Sequence, residues 1–267
     1  MLTCNNCGST GVLLWTIKSF QIFRCINKNC NLIFSDVKPE DIYSGYEKNY
    51  YLNEYPDYES DKVIHLKNNN ILLDEIEKYY PKGKLIEIGS AFGFFLSAAI
   101  SRNWQVEGFE ISEYASKLAV DKYKLPVRNE DFLSAELNGK YDLVVMLDTI
   151  EHLLNPDLFI EKISKITQPG SGLVITTGDI NSLYSKIFGK KWRLIAPPMH
   201  IYYYNPCSVT YLLNKFGFDV LSISHPSKYF NLGSAIQYLF KINKSKERIV
   251  PIKINLGDVM LVIARKK

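Results

Sequence analysis

The fold class that this sequence predicts is α/β: a seven-stranded, mostly parallel sheet with helices on both faces, preceded by a small metal-stapled segment. Three observations predict it. Strand-length apolar runs recur at 84–88, 105–109, 126–132, 141–147, 166–177, 218–224 and 258–264, and helical patterns separate most of them, which is the rhythm of repeated strand–helix units. The run Tyr141–Leu147 (YDLVVML) is apolar almost throughout, as expected for a central strand covered on both faces. Four of the five cysteines fall within the first thirty residues, in a segment too short to build much core of its own.

The bulk properties set the limits. With 267 residues and 46% hydrophobic content the chain can bury a full core, and a net charge of +4 with interspersed signs does not indicate nucleic acid. No apolar run reaches the roughly 18 residues of a membrane helix, and the first residues lack a signal-peptide pattern. The expectations are therefore a cytoplasmic protein, no membrane partner, and cysteines that bind metal rather than form disulfides. Nothing here indicates an oligomeric state. The organisation read from the sequence is a ribbon-like segment at 1–38, a tyrosine-rich connector and helix at 39–83, and the sheet domain at 84–267.

Taken in order, Cys4-x-x-Cys7 followed by glycine, with Cys25 and Cys30 closing a β-rich run, reads as a zinc ribbon with four thiolate ligands. The second pair has four intervening residues instead of two, a spacing that still reaches. The connector IYSGYEKNYYLNEYPDYESD is too rich in tyrosine for a plain linker and reads as a lid or packing strap. Asp61–Tyr80 reads as a helix stopped at Pro81, with His65 on its surface.

The stretch Lys84–Ile100 (KLIEIGSAFGFFLSAAI) is strand, glycine turn and helix, the geometry that offers a ligand free N–H groups at a helix start. Its turn is Gly-x-x-x-Gly, not the pattern of diphosphate binders, and Glu87 two residues before Gly89 favours a cationic ligand over a diphosphate. Glu110 ends the second strand, where a carboxylate can accept both hydroxyls of a ribose, and Ser112 reads as the N-cap of the next helix. Pro126–Phe132 runs into the acidic pair Glu130–Asp131, and Tyr141–Leu147 ends at Asp148, where ligands gather in open parallel sheets. Asp148-Thr149-Ile150-Glu151-His152 then places three polar groups at the mouth of that edge, and an unperturbed imidazole, with a pKa near 6.5, suits a base. A turn at Pro169–Gly170 precedes the fifth strand, Ser182–Trp192 reads as a helical insertion, and His200 sits among aromatics. Ser208–Phe216 reads as a helix ended by Gly217, and between the last two strands Gln237–Phe240 and Lys241–Arg248 read as a helix and an exposed basic loop.

Together IEIGSAFG, VEGFE, EDF and YDLVVMLDTIEHL resemble the class I S-adenosylmethionine-dependent methyltransferases, over about Tyr46 to the C-terminus. The Glu-His pair and the later Pro-x-His-x-x-Tyr stretch are similar to a small-molecule subgroup, although Ser171 stands where that family's turn has a second glycine. The resemblance implies a Rossmann-like methyltransferase sheet and S-adenosylmethionine as cofactor. It places Glu87, Gly89, Ser90, Gly93, Glu110, Ile111, Asp131, Phe132 and Asp148 around that cofactor, with the connector's Tyr50 or Tyr51 above it. It makes His152 and His200 the acid–base residues, and Glu151, Tyr202 and Tyr203 the wall for a small-molecule acceptor, such as a sugar or another biosynthetic metabolite. Relatives with a Glu-x-x-Glu-His arrangement and a later histidine bind a divalent ion; the reading adopted is metal-free acid–base chemistry. A zinc-ribbon binding module whose sheet domain is inactive or only senses the cofactor is the alternative, and a nicotinamide oxidoreductase fits the glycine turn less well.

Overall fold

The computed structural model describes residues 2–42, 59, 61–137, 139–231 and 250–267. Its first part is a five-stranded antiparallel sheet: β1 (Leu2–Thr3), β2 (Thr10–Ile17), β3 (Phe20–Cys25), β4 (Ile33–Ser35) and, from much later in the chain, β10 (Tyr202–Tyr203). Ile17 pairs with Phe20 across a two-residue turn in which Lys18 has φ 54°, the left-handed conformation such hairpins require. Tyr202 pairs with Phe34 and Tyr203 with Ile33, so the cysteine segment is completed by the downstream domain. Cys4, Phe23, Leu32 and Phe34 lie in the same buried cluster as Ile86, Val144 and Met260 of the large sheet.

The large sheet is β5 (Lys84–Ile88), β6 (Gln105–Glu110), β7 (Val127–Asn129), β8 (Tyr141–Leu147), β9 (Thr167–Gly178), β11 (Phe218–Ser224) and β14 (Val259–Lys266), in the order β11-β14-β9-β8-β5-β6-β7. β5 to β9 pair in parallel, while β14 runs antiparallel to both β9 and β11. Alternation within the strands sorts the core. Ile86, Ile88, Val144, Met146, Met260 and Val262 face one layer, and Leu85, Leu143, Val145, Leu261 and Ile263 the other. The expected seven-stranded, mostly parallel sheet is thus present.

After α1 (Pro39–Ile42), the long helix α2 spans Lys62–Ile76, shorter than the Asp61–Tyr80 expected. The chain leaves the helix to plug Tyr80 into the sheet, where its hydroxyl donates to the Ala264 carbonyl at 2.7 Å and its ring occupies the space above Gly172. α3 (Phe94–Ser101) follows the glycine turn. α4 (Glu113–Lys117) is capped by Ser112 as expected and runs on into a π-turn at Leu118–Lys122. α5 (Pro156–Ile166) starts on Asn155 with proline in its first turn, and buries Ile160, Ile163 and Ile166 on one face. α6 (Leu183–Phe188) is the helix of the expected insertion. α7 (Pro206–Lys215) begins two residues before the expected Ser208, because Asn205 is the cap and Ser208 is its capping-box partner.

One further expectation is corrected, and one element is added. The turn at Pro169–Gly170 is instead an irregular stretch inside β9, where the register with β8 shifts and Ser171 donates to the Tyr141 carbonyl at 2.8 Å. Between β11 and β14 the chain forms an antiparallel pair, β12 (Lys228–Asn231) with β13 (Pro251–Ile254). Asn68 of α2 clamps it by donating to the Tyr229 carbonyl and accepting from the Tyr229 N–H, at 3.0 and 2.6 Å. Tyr50, Tyr51, Gln237–Phe240 and Lys241–Arg248 lie outside the described residues.

Candidate functional site

The C-terminal ends of β5, β6 and β8 meet where the strand order reverses, the position at which open parallel sheets bind ligands. After β5 the backbone is left-handed at Gly89, Ala91 and Gly93, with φ of 76°, 46° and 73°. A Cβ on Gly89 would lie 2.6 Å from the Thr149 hydroxyl and one on Gly93 would lie 2.5 Å from Leu125. Both glycines therefore let protein side chains close on the turn, in addition to freeing its backbone. Glu110 braces the turn: one carboxylate oxygen accepts from the Ala91 N–H and the other from the Ser112 N–H, both at 2.8 Å. Each oxygen keeps a second lone pair for a hydroxyl. Burial raises the pKa of Glu110, and raises that of Glu87 well above the ordinary range, with the Glu110 charge adding to the effect.

The other residues expected around a cofactor are placed differently. Ile111 is 57% exposed beside Glu110. Asp131 is exposed and accepts from the Leu133 N–H at 3.0 Å. The ring of Phe132 is buried between Phe109 and Phe159, each 5.7 Å away, so it belongs to the core and leaves only its backbone for a ligand. Lys162, which sequence reasoning missed, fixes this loop by donating to the carbonyls of Phe132, Leu133 and Ala135 at 2.6, 3.0 and 2.6 Å.

Beyond β8, Asp148 adopts φ 48° at the strand end and accepts from the Thr176 hydroxyl at 2.9 Å and from Lys228 at 3.3 Å. Against a burial cost that acts to raise its pKa, the Lys228 ammonium and Thr176 hold this carboxyl below the usual range. Glu151 is 4% exposed, and burial together with the Asp148 charge pushes its pKa up to about 8. The Ile201 N–H bonds to its carbonyl at 2.8 Å, tying the downstream loop to the strand end. His152 and His200 meet edge to face with ring centres 4.7 Å apart. Nδ1 of His152 faces the Met199 carbonyl at 2.8 Å and Nδ1 of His200 the Leu194 carbonyl at 2.7 Å. A carbonyl only accepts, so each Nδ1 carries the proton and each Nε2 keeps its lone pair. Burial and the neighbouring His200 push the His152 pKa down to about 3, and burial lowers that of His200. Both imidazoles are thus held below the ordinary value on which their expected role as bases was argued.

One ligand atom each from Glu151, His152 and His200 lies within 4.8 Å of the others. A narrow cavity beside them is walled by Thr177, Trp192, Leu194, Tyr202 and Tyr203. The hydroxyls of the two tyrosines are fixed: Tyr202 bonds Asn5 and donates to the Leu154 carbonyl, while Tyr203 donates to the His200 carbonyl. Lys228 was also missed, since it comes from β12 with no motif to announce it. His65 is not at the surface: it is half-buried with its ring 5.7 Å from Phe94, and burial pushes its pKa down to about 4.

Away from this edge, Cys4, Cys7, Cys25 and Cys30 bring their sulfurs within 4.8 Å of one another, with Cys4–Cys30 at 3.8 Å and Cys7–Cys25 at 3.4 Å. A tetrahedral zinc with Zn–S near 2.3 Å sets sulfurs about 3.8 Å apart, so this donor set fits zinc.

Comparison with known proteins agrees with this architecture. Over 125 residues the chain is 25% identical to a ubiquinone biosynthesis O-methyltransferase of Leptothrix cholodnii, covering 43% of this chain and 53% of the relative. The chain thus spans about half the length of that curated relative. Among solved structures, an S-adenosylmethionine-dependent methyltransferase of Archaeoglobus fulgidus superposes with TM-score 0.56 at 20% identity, over 78% of this chain and 99% of that one. The magnesium protoporphyrin IX methyltransferase of Synechocystis with bound S-adenosylhomocysteine gives TM-score 0.55 at 15% identity, over 82% and 98%. These likenesses show a shared fold. The family described as "Methyltransferase domain" matches residues 67–223, more than half of the 267 residues, and the chain belongs to that family.

Proposed function

We propose that this protein transfers a methyl group from S-adenosylmethionine to a hydroxyl oxygen of a small-molecule acceptor. The observation that carries the reading is a set of buried polar atoms at one sheet edge. Glu87 Oε2, Ser90 Oγ and Glu151 Oε2 have no hydrogen-bond partner among the described residues, and all three lie at or just beyond the C-terminal ends of β5 and β8. Leaving such atoms unpaired costs about 1–3 kcal/mol each, which a polar ligand would offset. The cofactor supplies an activated methyl on its sulfonium. Glu110 takes the ribose hydroxyls on its remaining lone pairs, Asp131 and the Phe132 backbone flank the adenine, and Ile111 covers it. Glu87, Gly89, Ser90, Gly93 and Asp148 surround the cationic half. Glu151 accepts the hydrogen bond of the reacting hydroxyl and takes its proton as the new carbon–oxygen bond forms and the methyl–sulfur bond breaks, while Nε2 of His152 and of His200 accept hydrogen bonds from other polar hydrogens of the acceptor.

A second reading has a specific observation in its favour. Two imidazoles held neutral, with their Nδ1 protons fixed by carbonyls, and one buried carboxylate converge within 4.8 Å, a donor set that suits a divalent cation. Turnover with labelled cofactor and a panel of hydroxylated acceptors, sugars and phenols included, tests the main reading. Dialysis against a chelator separates the two: activity lost and restored by magnesium or manganese, with the ribbon zinc retained, selects the metal.

The expected result for Glu110→Ala is a loss of about 2–3 kcal/mol in S-adenosylmethionine binding by calorimetry, from charge-assisted bonds and from a loosened Ala91 turn. Unchanged affinity in a folded variant would remove Glu110 from the cofactor site.

A further inference from the structure

Helix α6 is built inside out. Its cap Ser182 and Ser185 are buried, with the Ser185 hydroxyl donating to the Ile180 and Ser182 carbonyls, while Leu183, Ile187 and Phe188 are 75%, 69% and 46% exposed. A helix that served only the fold would turn its leucine and isoleucine inward and its hydroxyls to water. Large apolar side chains clustered on a surface mark a docking site. The cluster is ringed by cations: Lys186, Lys190, Lys191 and Arg193 are all exposed. No aspartate or glutamate occurs between Asp179 and Asp219; Arg193 is paired with Asp258 at 3.1 Å, which leaves Lys186, Lys190 and Lys191 as the positive charge of the cluster. Trp192 and Leu194, which follow directly, wall the cavity beside Glu151 and His200.

We infer that this patch seats the protein on an anionic lipid bilayer, with Leu183, Ile187 and Phe188 entering the headgroup boundary and the lysines meeting lipid phosphates. Exposed apolar groups flanked by basic residues are what an interfacial contact needs. A second copy of the chain fits less well, because a two-fold contact through this patch sets its lysines against their own copies. The absence of a long apolar run excludes a spanning helix among the described residues and leaves a surface contact open. The docked patch lies next in sequence to Trp192 and Leu194, which wall the cavity. The inference therefore extends the methyl-transfer reading to an acceptor with an apolar part held in the bilayer. It rests on that reading for the acceptor alone, because binding to lipid is measured without turnover.

The test is co-sedimentation of the full chain with vesicles of phosphatidylglycerol and phosphatidylcholine, against vesicles of phosphatidylcholine alone. The expected result is binding to the anionic vesicles that weakens at high salt. It should fall about tenfold or more in Leu183→Glu/Ile187→Glu and again in Lys190→Glu/Lys191→Glu. Calorimetry with S-adenosylmethionine should give the wild-type affinity in both variants, which shows that they are folded. Absence of the wild type from the anionic pellet, or equal sedimentation of wild type and variants, overturns the proposal. So does self-association that Leu183→Glu abolishes in a protein that ignores vesicles, or capture by an acidic protein with no vesicle binding.

Discussion

Glu151→Gln is expected to lower turnover by about 10²- to 10⁴-fold while S-adenosylmethionine affinity stays within about twofold of wild type. Glutamine keeps the shape of the side chain but neither takes a proton nor carries charge. Burial and Asp148 push the Glu151 pKa up to about 8, so in metal-free chemistry the ionised base appears only as the pH rises through that value, and wild-type turnover climbs with it. Stability runs the other way. A carboxyl whose folded pKa lies above its ordinary value contributes most below that ordinary value and loses its contribution as the pH rises through about 8. Thermal melts should therefore show a decline across this window that is smaller in Glu151→Gln. His152→Ala and His200→Ala should each reduce turnover with cofactor affinity preserved, if their Nε2 atoms bond the acceptor as proposed. If Glu151→Gln turns over at about the wild-type rate with an unchanged pH profile, the proton goes elsewhere. The cation reading predicts instead that a bound divalent ion abolishes the limb near pH 8, because positive charge beside Glu151 keeps it ionised.

The parts of this molecule that sequence made legible are those whose signal is local and periodic. Tyr141–Leu147 was bounded correctly because a strand buried on both faces leaves an apolar run that no amphipathic helix imitates, and the glycine turn after Ile88 was legible because positive φ demands glycine. What escaped depends on contacts distant in the chain. Tyr202–Tyr203 reads as an aromatic wall, yet its backbone pairs with a strand some 170 residues earlier, and two residues carry no periodicity from which to infer that. β12 and β13 are four residues each and are held by Asn68, a side chain on a helix far upstream. Lys228 enters the site with them, and nothing around it in sequence marks it. The pKa values of His152 and His200 are not legible in sequence, because they are set by burial that only the folded chain reveals.

Completion of the ribbon by β10 also ties the cysteine cluster to the proposed chemistry. The Ser35 N–H donates to the Ile201 carbonyl at 2.9 Å, Ile201 in turn donates to the Glu151 carbonyl at 2.8 Å, and Asn5, one residue from Cys4, bonds the Tyr202 hydroxyl. The ribbon therefore holds the segment between His200 and Tyr204 against the strand end that carries Glu151. It makes no such contact with the turn at Gly89–Gly93 among the bonds described.

Elemental analysis is expected to find one zinc per chain, and Cys30→Ser to lose it. Cys30 is fully buried with its sulfur 3.8 Å from that of Cys4, so serine leaves a harder, shorter-reaching donor in a site spaced for thiolates. Structural zinc contributes folding free energy directly, with apparent binding of about 10–16 kcal/mol in isolated fingers, and losing even several kcal/mol of this should lower Tm by about 10 °C or more. The ribbon shares one buried cluster with Ile86 and Val144, so the loss should spread into the large sheet instead of stopping at residue 38. Where the variant stays folded at low temperature, turnover should fall well before S-adenosylmethionine affinity does, because a metal held by the four cysteines would support the His200 loop and not the glycine turn. Chelating the wild type should reproduce that split, with zinc alone restoring Tm. Native protein that contains no zinc, yet keeps its Tm in Cys30→Ser and resists proteolysis across residues 2–35, would reduce the four cysteines to core packing.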